Sequence, residues 1–297
     1  MNPKLSVITD EFHLLDFERV VEYLSSIGIE YVELRQVWVK NIGYFDDVDV
    51  GEVKDILKDA GLKISCIAGA IFKCDWWGLP GEEKTMGDGT SIKDSELKLA
   101  ENCIKLAKEF DAKYVRAFGF KKKSFDDEET AWNTWFSAME NVIKMAQEAN
   151  KIVCVENENA CMVSSSESIK KVFNTIKSDH CKLLFDPGNL FRLGEDITDD
   201  ILDLAKDLTG YVHVKDAIRE RDNPSKMRGV IACEGEVGWG KIVEMLENNG
   251  YDSFYSLETH MGGNRWGNSD ESLKNLRWLL ENYKEYNQSG KEKSFFP

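Results

Sequence analysis

The sequence has too few basic residues to balance its acidic ones. Its 297 residues include 53 Asp and Glu but only 38 Lys and Arg, which gives a formal net charge of −15. A protein that binds a polyanion needs clustered cations to displace counterions, so the composition argues against nucleic acid as a partner. Anionic membrane surfaces are disfavoured for the same reason.

Three further features are missing. No stretch approaches the roughly 18 uninterrupted apolar residues of a membrane span. The first residues, MNPKLSVITDEF, lack the cationic start and the apolar run of a signal peptide. The seven cysteines are scattered without a CxxC pair, which predicts reduced thiols rather than a disulfide framework or a zinc ribbon. Together these absences predict a cytoplasmic protein.

Short apolar runs alternate with longer segments of helical periodicity. The runs lack polar alternation, as is typical of parallel strands covered on both faces. We predict strands at 5–8, 31–34, 63–67, 114–118, 152–156, 182–185, 210–214 and 253–258, and helices at 17–27, 50–60, 97–110, 131–149, 169–176, 201–208, 242–246 and 273–283. Gly28 and Gly61 stand where helix C-caps belong.

Eight strand-then-helix units predict an α/β fold, a single (β/α)8 TIM barrel over residues 1–287. Residues 288–297 are expected to form a flexible C-terminal tail. A doubly wound sheet is the alternative, but it would carry a glycine-rich phosphate turn after its first strand. The turn Thr9–His13 contains no glycine, and the glycine-rich segment Gly235–Gly240 follows no strand.

Polar side chains stand at the carboxyl ends of four consecutive predicted strands, where TIM barrels place their chemistry. Strands five to eight carry Glu156, Asp186, His213 and Glu258. One such residue alone is most often a cap, a salt-bridge partner or a core residue. Four on adjacent strands predict a metal site of three carboxylates and one imidazole, suited to Mn²⁺, Co²⁺, Mg²⁺ or Zn²⁺.

At these residues the sequence resembles the sugar phosphate isomerase/epimerase family, the xylose-isomerase-like TIM barrels. The resemblance extends from about residue 5 to 283. It rests on the ordered segments TDEF, GIEYVELR, VCVENEN, FDPGN, VHVKD, EGEVGW and GYDSFYSLETH. It implies that Glu156, Asp186, His213 and Glu258 bind one divalent metal, for which we favour Mn²⁺. In the ketose 3-epimerase branch the two glutamates also move the proton.

Two further positions can be compared with that branch. The resemblance implies that Arg219, six residues after His213, helps to hold the carboxylate of Glu258. The branch usually has a substrate-binding His three residues after the strand-six Asp, and this sequence has Asn189 there. Asparagine can donate and accept hydrogen bonds but cannot shuttle a proton near neutral pH. This difference argues against the well-characterised ketose epimerases and leaves the broader family intact.

The residue types explain the chemistry expected. Removing a proton next to a carbonyl generates an enediolate, whose charge a metal ion stabilises, and a positioned carboxylate removes the proton. We therefore expect an enzyme of carbohydrate metabolism that isomerises or epimerises a keto sugar or a related polyol ketone, with Glu156 and Glu258 as catalytic residues. A lyase or dehydratase acting on a 3-keto sugar or an inosose by β-elimination is the alternative. A non-catalytic sugar-binding barrel is the alternative of another class.

Several other residues are candidates for binding the sugar because they lie at or just beyond predicted strand ends. Besides Arg219 and Asn189 these are Arg116, Glu158, Lys215, His260 and Trp76, with Glu33, Arg35 and Lys73 also near the rim. The segment 75–90 is expected to form a loop over the catalytic face, with Trp76 and Trp77 able to stack on a sugar ring. The expected partner is a small-molecule sugar. The sequence also allows a homo-oligomer, with Phe295 and Phe296 as candidate contacts.

Overall fold

The fold is a barrel of eight parallel strands, seen in a computed structural model that describes residues 4–79 and 81–288. We number the barrel strands β1 Lys4–Val7, β2 Tyr31–Leu34, β3 Lys63–Ile71, β4 Tyr114–Ala117, β5 Ile152–Glu156, β6 Cys181–Phe185, β7 Thr209–Val214 and β8 Phe254–Leu257. They agree with the predicted strands to within one residue at each end, except that β3 continues to Ile71. The prediction of a TIM barrel is confirmed.

Each strand pairs in parallel with the next around the barrel. The hydrogen-bonded order is β1-β8-β7-β6-β5-β4-β3-β2, which leaves β1 and β2 as the two ends of the sheet. An isolated parallel bridge between Ile8 and Glu33 joins these two ends. The sheet is therefore nearly closed, and the carboxyl ends of all eight strands meet at one rim.

Nine helices are observed in the described residues. They are α1 Phe17–Ser26, α2 Asp47–Ala60, α3 Ile92–Glu109, α4 Glu128–Glu148, α5 Ser166–Thr175, α6 Pro187–Leu193, α7 Asp199–Ala205, α8 Trp239–Asn248 and α9 Arg265–Gln288. Most begin before the predicted residue because polar capping residues precede the apolar repeat. In α2, for example, the side chain of Asp46 accepts hydrogen bonds from the backbone of Val48 and Asp49. Gly28 and Gly61 adopt left-handed conformations after α1 and α2, as predicted.

The described residues contain no helix that is both long and apolar enough to cross a membrane. All seven cysteines are free thiols, and six of them are buried. The predicted tail is residues 288–297, of which 289–297, including Phe295 and Phe296, lie outside the described part of the chain. Gln288 is the last residue of α9.

Apolar side chains form two cores. The larger lies between the strands and the surrounding helices. The smaller lies inside the barrel, away from the catalytic rim, and consists of Cys66, Tyr114, Cys154, Leu184, Tyr211 and Phe254. Its three aromatic rings contact one another with centroid separations of 5.4 to 6.2 Å. This plug fills the barrel interior, so the rim above it has a solid floor.

Two antiparallel hairpins extend from the rim, and sequence reasoning predicted neither. One follows β2 and pairs Gln36–Val37 with Lys40–Asn41. The other follows β7 and pairs Asp216–Glu220 with Asn223–Val230; we call it the β7 hairpin. The carboxylate of Asp216 accepts hydrogen bonds from the backbone of Gly235 and Val237. The glycine-rich segment therefore closes against this hairpin.

The loop after β3 is anchored by one of its two tryptophans. Trp77 is buried, and its ring packs 4.5 Å from that of Phe120 and 5.7 Å from that of Phe72. The expectation that Trp77 stacks on a sugar is therefore wrong, because the apolar ring belongs to the core. Trp76 is only half-buried, with the Lys84 ammonium 5.2 Å from its ring centroid.

The same loop begins over a partly buried acid. Phe72 has a left-handed backbone, and its N–H donates a 2.6 Å hydrogen bond to the carboxylate of Glu96 in α3. Burial raises the pKa of Glu96 to about 7, although the hydrogen bond from Phe72 opposes the shift.

Replacing Glu96 by Gln is expected to flatten the pH dependence of stability. The pKa of Glu96 in the folded protein lies above the ordinary value of 4.5. The stabilisation from protonation is therefore complete below about pH 4.5 and is lost as the pH rises through about 7. Glutamine keeps an acceptor for Phe72 without a charge. Above pH 7 the variant should be more stable by about 1–2 kcal/mol, allowing for solvent screening.

Urea unfolding at acidic and alkaline pH measures this difference. Glu101→Gln is the matched control, since Glu101 lies exposed on the same helix. Parallel pH profiles for Glu96→Gln and the parent would contradict the prediction.

Candidate metal centre

Four side chains from adjacent strands converge at the rim. Glu156 ends β5, Asp186 follows β6, His213 lies in β7 and Glu258 follows β8. All four are at most 2% exposed. One potential ligand atom from each lies within 4.8 Å of the others. The convergence follows from the parallel sheet, because neighbouring strands that end level with one another present their last side chains at the same edge.

The orientation of His213 is fixed from beneath. Its Nε2 lies 3.0 Å from Oε1 of Glu33, and since a carboxylate only accepts, Nε2 carries the proton. Glu33 in turn accepts a 3.0 Å hydrogen bond from the Tyr211 hydroxyl. The other ring nitrogen of His213, Nδ1, therefore faces the site and is the atom that could bind a metal ion once it is unprotonated. It has no hydrogen-bond partner among the described residues.

Nδ1 of His213 faces two carboxylate oxygens. It lies 3.2 Å from Oε2 of Glu258 and 3.7 Å from Oε1 of Glu156. Burial lowers the pKa of His213, but Glu33, Glu258 and Glu156 together raise it well above its ordinary value. The site thus favours a positive charge at the point where these acceptors meet. The residues fit a divalent metal ion, which carboxylate oxygens and an imidazole nitrogen would hold.

Each carboxylate of the quartet also has a side-chain cation. The Arg116 guanidinium lies 3.2 Å from Glu156, and Arg116 donates further hydrogen bonds to backbone carbonyls of β3. The buried Lys215 ammonium lies 2.6 Å from Asp186 and 2.9 Å from Glu258. These cations hold the carboxylates in place before any ion binds.

The pKa values of the three carboxylates differ because their surroundings differ. Burial by itself would raise the pKa of Glu156. His213 and Arg116 outweigh burial and lower the pKa to about 2. For Glu258, burial is likewise outweighed by Lys215, His260 and His213, which hold its pKa well below the usual range. For Asp186 burial prevails and raises the pKa to about 6. The two glutamates are thus the ionised bases of the site at neutral pH.

A second group of ligand-type side chains lies beside the first and already holds a cation. Its members are Glu11, Glu258 and His260. Nη2 of Arg35 lies 2.6 Å from Glu11, and Nη1 lies 2.7 Å from Glu258 and 2.9 Å from the His260 ring. Because this guanidinium fills the group, the geometry favours one divalent ion at the rim rather than two.

The charge of the buried cluster is strongly negative without an ion. Six carboxylates contribute to it, and three side-chain cations oppose them. The carboxylates are Asp10, Glu11, Glu33, Glu156, Asp186 and Glu258, and the cations are Arg35, Arg116 and Lys215. An uncompensated excess of buried charge is costly, so binding of a divalent cation would relieve it.

Arg219 does not hold Glu258, contrary to what the resemblance implied. Its guanidinium pairs with Asp196 and lies 3.3 Å from Glu236, and it stacks 4.3 Å from the ring centroid of Phe191. The β7 hairpin carries Arg219 away from the metal ligands as it leaves the rim. Arg35 and Lys215 contact Glu258 instead.

The other candidates for substrate binding lie around the quartet. Asn189 is buried beside it, and its Nδ2 donates to the carbonyl of Asn157 and lies 3.4 Å from Glu156. Glu158 pairs with Lys73 at 2.8 Å on the outer rim. His260 is 38% exposed and lies 3.1 Å from Glu258. Trp76 lies in the loop after β3, beside Lys84.

Sequence reasoning missed three residues of the site. The side chain of Asn157 exchanges two hydrogen bonds with the backbone of Asp186, which fixes the end of β5 against the end of β6. Asp10 and Glu11 both bind Arg35. Their position directly after a predicted strand could have identified the two acids, since it is the same signal that identified Glu156.

Comparison with known proteins gives a family and several relatives. A family model described as xylose isomerase-like TIM barrel matches residues 21–282. Inosose dehydratases are similar over half of the chain. The protein from Clostridium perfringens is 26% identical over 161 residues, which is 50% of each chain. That from Lacticaseibacillus casei is 23% identical over 170 residues, covering 53% of this chain and 56% of the relative. The chain thus spans about half the length of the curated relatives it matches.

Solved structures share the fold over nearly the whole chain. A xylose isomerase-like TIM barrel protein from Mycobacterium smegmatis in complex with magnesium has a TM-score of 0.72 at 14% identity, covering 95% of this chain and 97% of that one. A D-tagatose 3-epimerase-like protein has a TM-score of 0.73 at 14% identity, covering 96% and 99%. The IOLI protein with a bound zinc atom has a TM-score of 0.69 at 15% identity, covering 98% and 99%.

Substituting Glu33 by Gln is expected to weaken metal binding. The change leaves the quartet intact but removes the negative charge that holds the Nε2 proton of His213. Loss of such a partner typically lowers metal affinity about 10- to 100-fold. Titration of the parent and the variant with Mn²⁺, Zn²⁺, Mg²⁺ and Co²⁺ against a fluorescent chelator measures the affinities and ranks the ions.

Glu30→Gln provides the matched control because Glu30 is exposed just before β2. Unchanged affinity in Glu33→Gln for every ion would show that His213 does not bind the metal in this orientation.

Proposed function

The chain belongs to the family of xylose isomerase-like TIM barrels, and we propose that it is a metal-dependent enzyme that isomerises or epimerises a keto sugar or a related polyol ketone. The observation that carries the proposal is the pair Glu156 and Glu258. Both border the same candidate metal site, and neighbouring cations lower the pKa of both. A carboxylate in this state can accept a proton from carbon, and two of them can act on one substrate.

The four residues of the quartet have distinct proposed roles. A divalent ion held by Glu156, Asp186, His213 and Glu258 would stabilise the negative charge that develops on substrate oxygens when a proton is removed. One glutamate removes the proton next to the carbonyl, and the other returns a proton. Return to the opposite face of the same carbon gives epimerisation, and return to the adjacent carbon gives isomerisation.

The surrounding groups position the bases and the substrate. Arg116 orients Glu156, while Arg35 and Lys215 orient Glu258, so neither base needs to reorganise during proton transfer. Asn189, Glu158 and His260 are proposed to bind sugar hydroxyls because they lie around the quartet. Trp76, in the loop after β3, is proposed to stack on the sugar ring. Arg219 remains a proposed substrate contact at the edge of the site, although it does not hold Glu258.

Dehydration is the second candidate, and the similarity to inosose dehydratases favours it. It begins with the same proton removal from the carbon next to the carbonyl. The electron pair then forms a carbon–carbon double bond as a hydroxyl group leaves from the next carbon, and a proton donated to that group releases water. The two candidates therefore share the base and the first step, and they differ in whether a proton returns to carbon or a hydroxyl group leaves.

We further propose that the enzyme works in the cytoplasm. Seven free thiols fit a cytoplasmic enzyme. We favour Mn²⁺ as the ion and a small sugar as the partner, with a homo-oligomer allowed.

Solvent deuterium exchange tests the shared step. The Mn²⁺-loaded protein is incubated in D2O with a panel of ketoses, 3-keto sugars and inososes, and the substrates are analysed by NMR and mass spectrometry. Deuterium at one carbon with unchanged composition supports isomerisation or epimerisation. A product lighter by the mass of one water molecule identifies dehydration. Absence of exchange and of product across the panel would contradict both and favour a non-catalytic sugar-binding barrel.

Glu258→Gln and Glu156→Gln should each lower the exchange rate by about 10²- to 10⁴-fold, because an amide cannot accept the proton. Rates are compared at saturating Mn²⁺, with bound metal measured in parallel, so that loss of the base is separated from loss of the ion. Glu140→Gln, exposed on α4, is the control. Full turnover by Glu258→Gln would overturn the proposal.

A further inference from the structure

Arg192 is an arginine at the catalytic rim for which the described residues supply no polar partner. Its Nε is buried and has no hydrogen-bond partner. Three other arginines at this rim, Arg35, Arg116 and Arg219, each contact at least one carboxylate. A guanidinium has five donors and always carries a charge, so a partly buried one without an acceptor is unusual.

Arg192 lies close to the strand ends that carry the candidate metal ligands. Arg192 lies in α6, whose N-cap is Asp186. A Cβ at Gly229 would stand 3.1 Å from Nη2 of Arg192 and 3.7 Å from Cγ of Met261. The guanidinium is therefore located where α6, the β7 hairpin and the segment after β8 come together. These three segments leave directly from the strand ends that carry Asp186, His213 and Glu258.

None of the ion pairs among the described residues includes Arg192, and carboxylates of the adjoining segments have other partners. Asp196 and Glu236 bind Arg219. Glu195 accepts a hydrogen bond from the backbone of Ser166. Gly229 lacks a side chain at the point where the guanidinium approaches, so the hairpin leaves room for it. The arrangement is a positively charged group, half-exposed, at the side of a strongly acidic site.

We propose that Arg192 binds an anionic group on the substrate, a carboxylate or a phosphate ester. Such a group can accept two parallel charge-assisted hydrogen bonds from the terminal nitrogens Nη1 and Nη2 of the guanidinium, which a neutral hydroxyl cannot do. This inference rests on the proposed function and narrows its substrate class to anionic keto polyols. Arg192 is then a specificity-determining residue located away from the proton that is transferred.

Three keto polyols of different charge test this inference. D-Fructose is neutral, 5-keto-D-gluconate carries a carboxylate and D-fructose 6-phosphate carries a phosphate. Their binding to the Mn²⁺-loaded protein is measured by calorimetry at low salt. At least one anionic probe should bind about tenfold or more tightly than fructose, since hydrogen bonds to charged groups contribute this much.

Arg192→Ala should lower the affinity for that anionic probe by about 10- to 100-fold and leave fructose within about twofold. Arg192→Lys should restore part of the loss, because it keeps the charge but not the fork. Arg221→Ala is the control, since Arg221 is an exposed arginine at the turn of the β7 hairpin. Thermal unfolding and Mn²⁺ affinity of each variant establish that the fold and the metal site are intact.

The outcomes separate the alternatives. Preference for one anionic probe identifies carboxylate or phosphate as the group. Equal affinity for all three probes, or equal losses in Arg192→Ala and Arg221→Ala, overturns the inference. If Arg192→Ala does not fold, Arg192→Gln and the salt dependence of probe binding to the parent provide the same comparison. If anionic probes bind in an Arg192-dependent way but no deuterium exchange occurs, only the proposed function is contradicted. If neutral sugars exchange deuterium at a rate that Arg192→Ala does not change, only this inference is contradicted.

Discussion

The hydrogen bond between His213 and Glu33 is the interaction on which the candidate metal centre depends. It holds a proton on Nε2 and so directs Nδ1 toward Glu156 and Glu258. Glu33 comes from β2, whereas the quartet comes from β5 to β8. The bond therefore exists only because the sheet curves round and brings β2 across the interior to β7. The imidazole of His213 is therefore oriented only when the barrel closes.

A polar chain extends this constraint into the barrel. The Tyr211 hydroxyl donates to Glu33 and lies 2.7 Å from the Ser65 hydroxyl, which lies 2.7 Å from that of Ser6. These groups are buried, and leaving any of them without a partner would be costly. The residue that orients His213 is thus itself held by neighbours on β1, β3 and β7, just above the aromatic plug. Rigidity of this kind is what a site needs if its ligands are to be positioned before the ion arrives.

Excess negative charge is the second constraint, and the two halves of the barrel handle it differently. Strands β5 to β8 supply the four candidate ligands. Arg35, which follows β2, holds Glu258, and Arg116, in β4, holds Glu156. Lys215 adds a third cation directly after β7. The same excess of negative charge explains why Arg35 fills the second group of ligand-type side chains. Arg192 differs from the other arginines of the rim because it pairs with no carboxylate of the described residues.

The sequence by itself determined the barrel and the four residues of the quartet. Both result from local patterns: apolar runs mark buried strands, and Glu156, Asp186, His213 and Glu258 stand at strand ends, which a parallel barrel must bring to one rim. Sequence spacing did not predict the contacts of Arg219. This residue, six positions after His213, lies in a hairpin that no local pattern indicated. The partners of the quartet were decided by tertiary structure alone. Glu33 meets His213 across 180 positions, and Arg35 meets Glu258 across 223. Contacts of that separation depend on strand register and barrel closure, which the periodicity of a single chain does not encode.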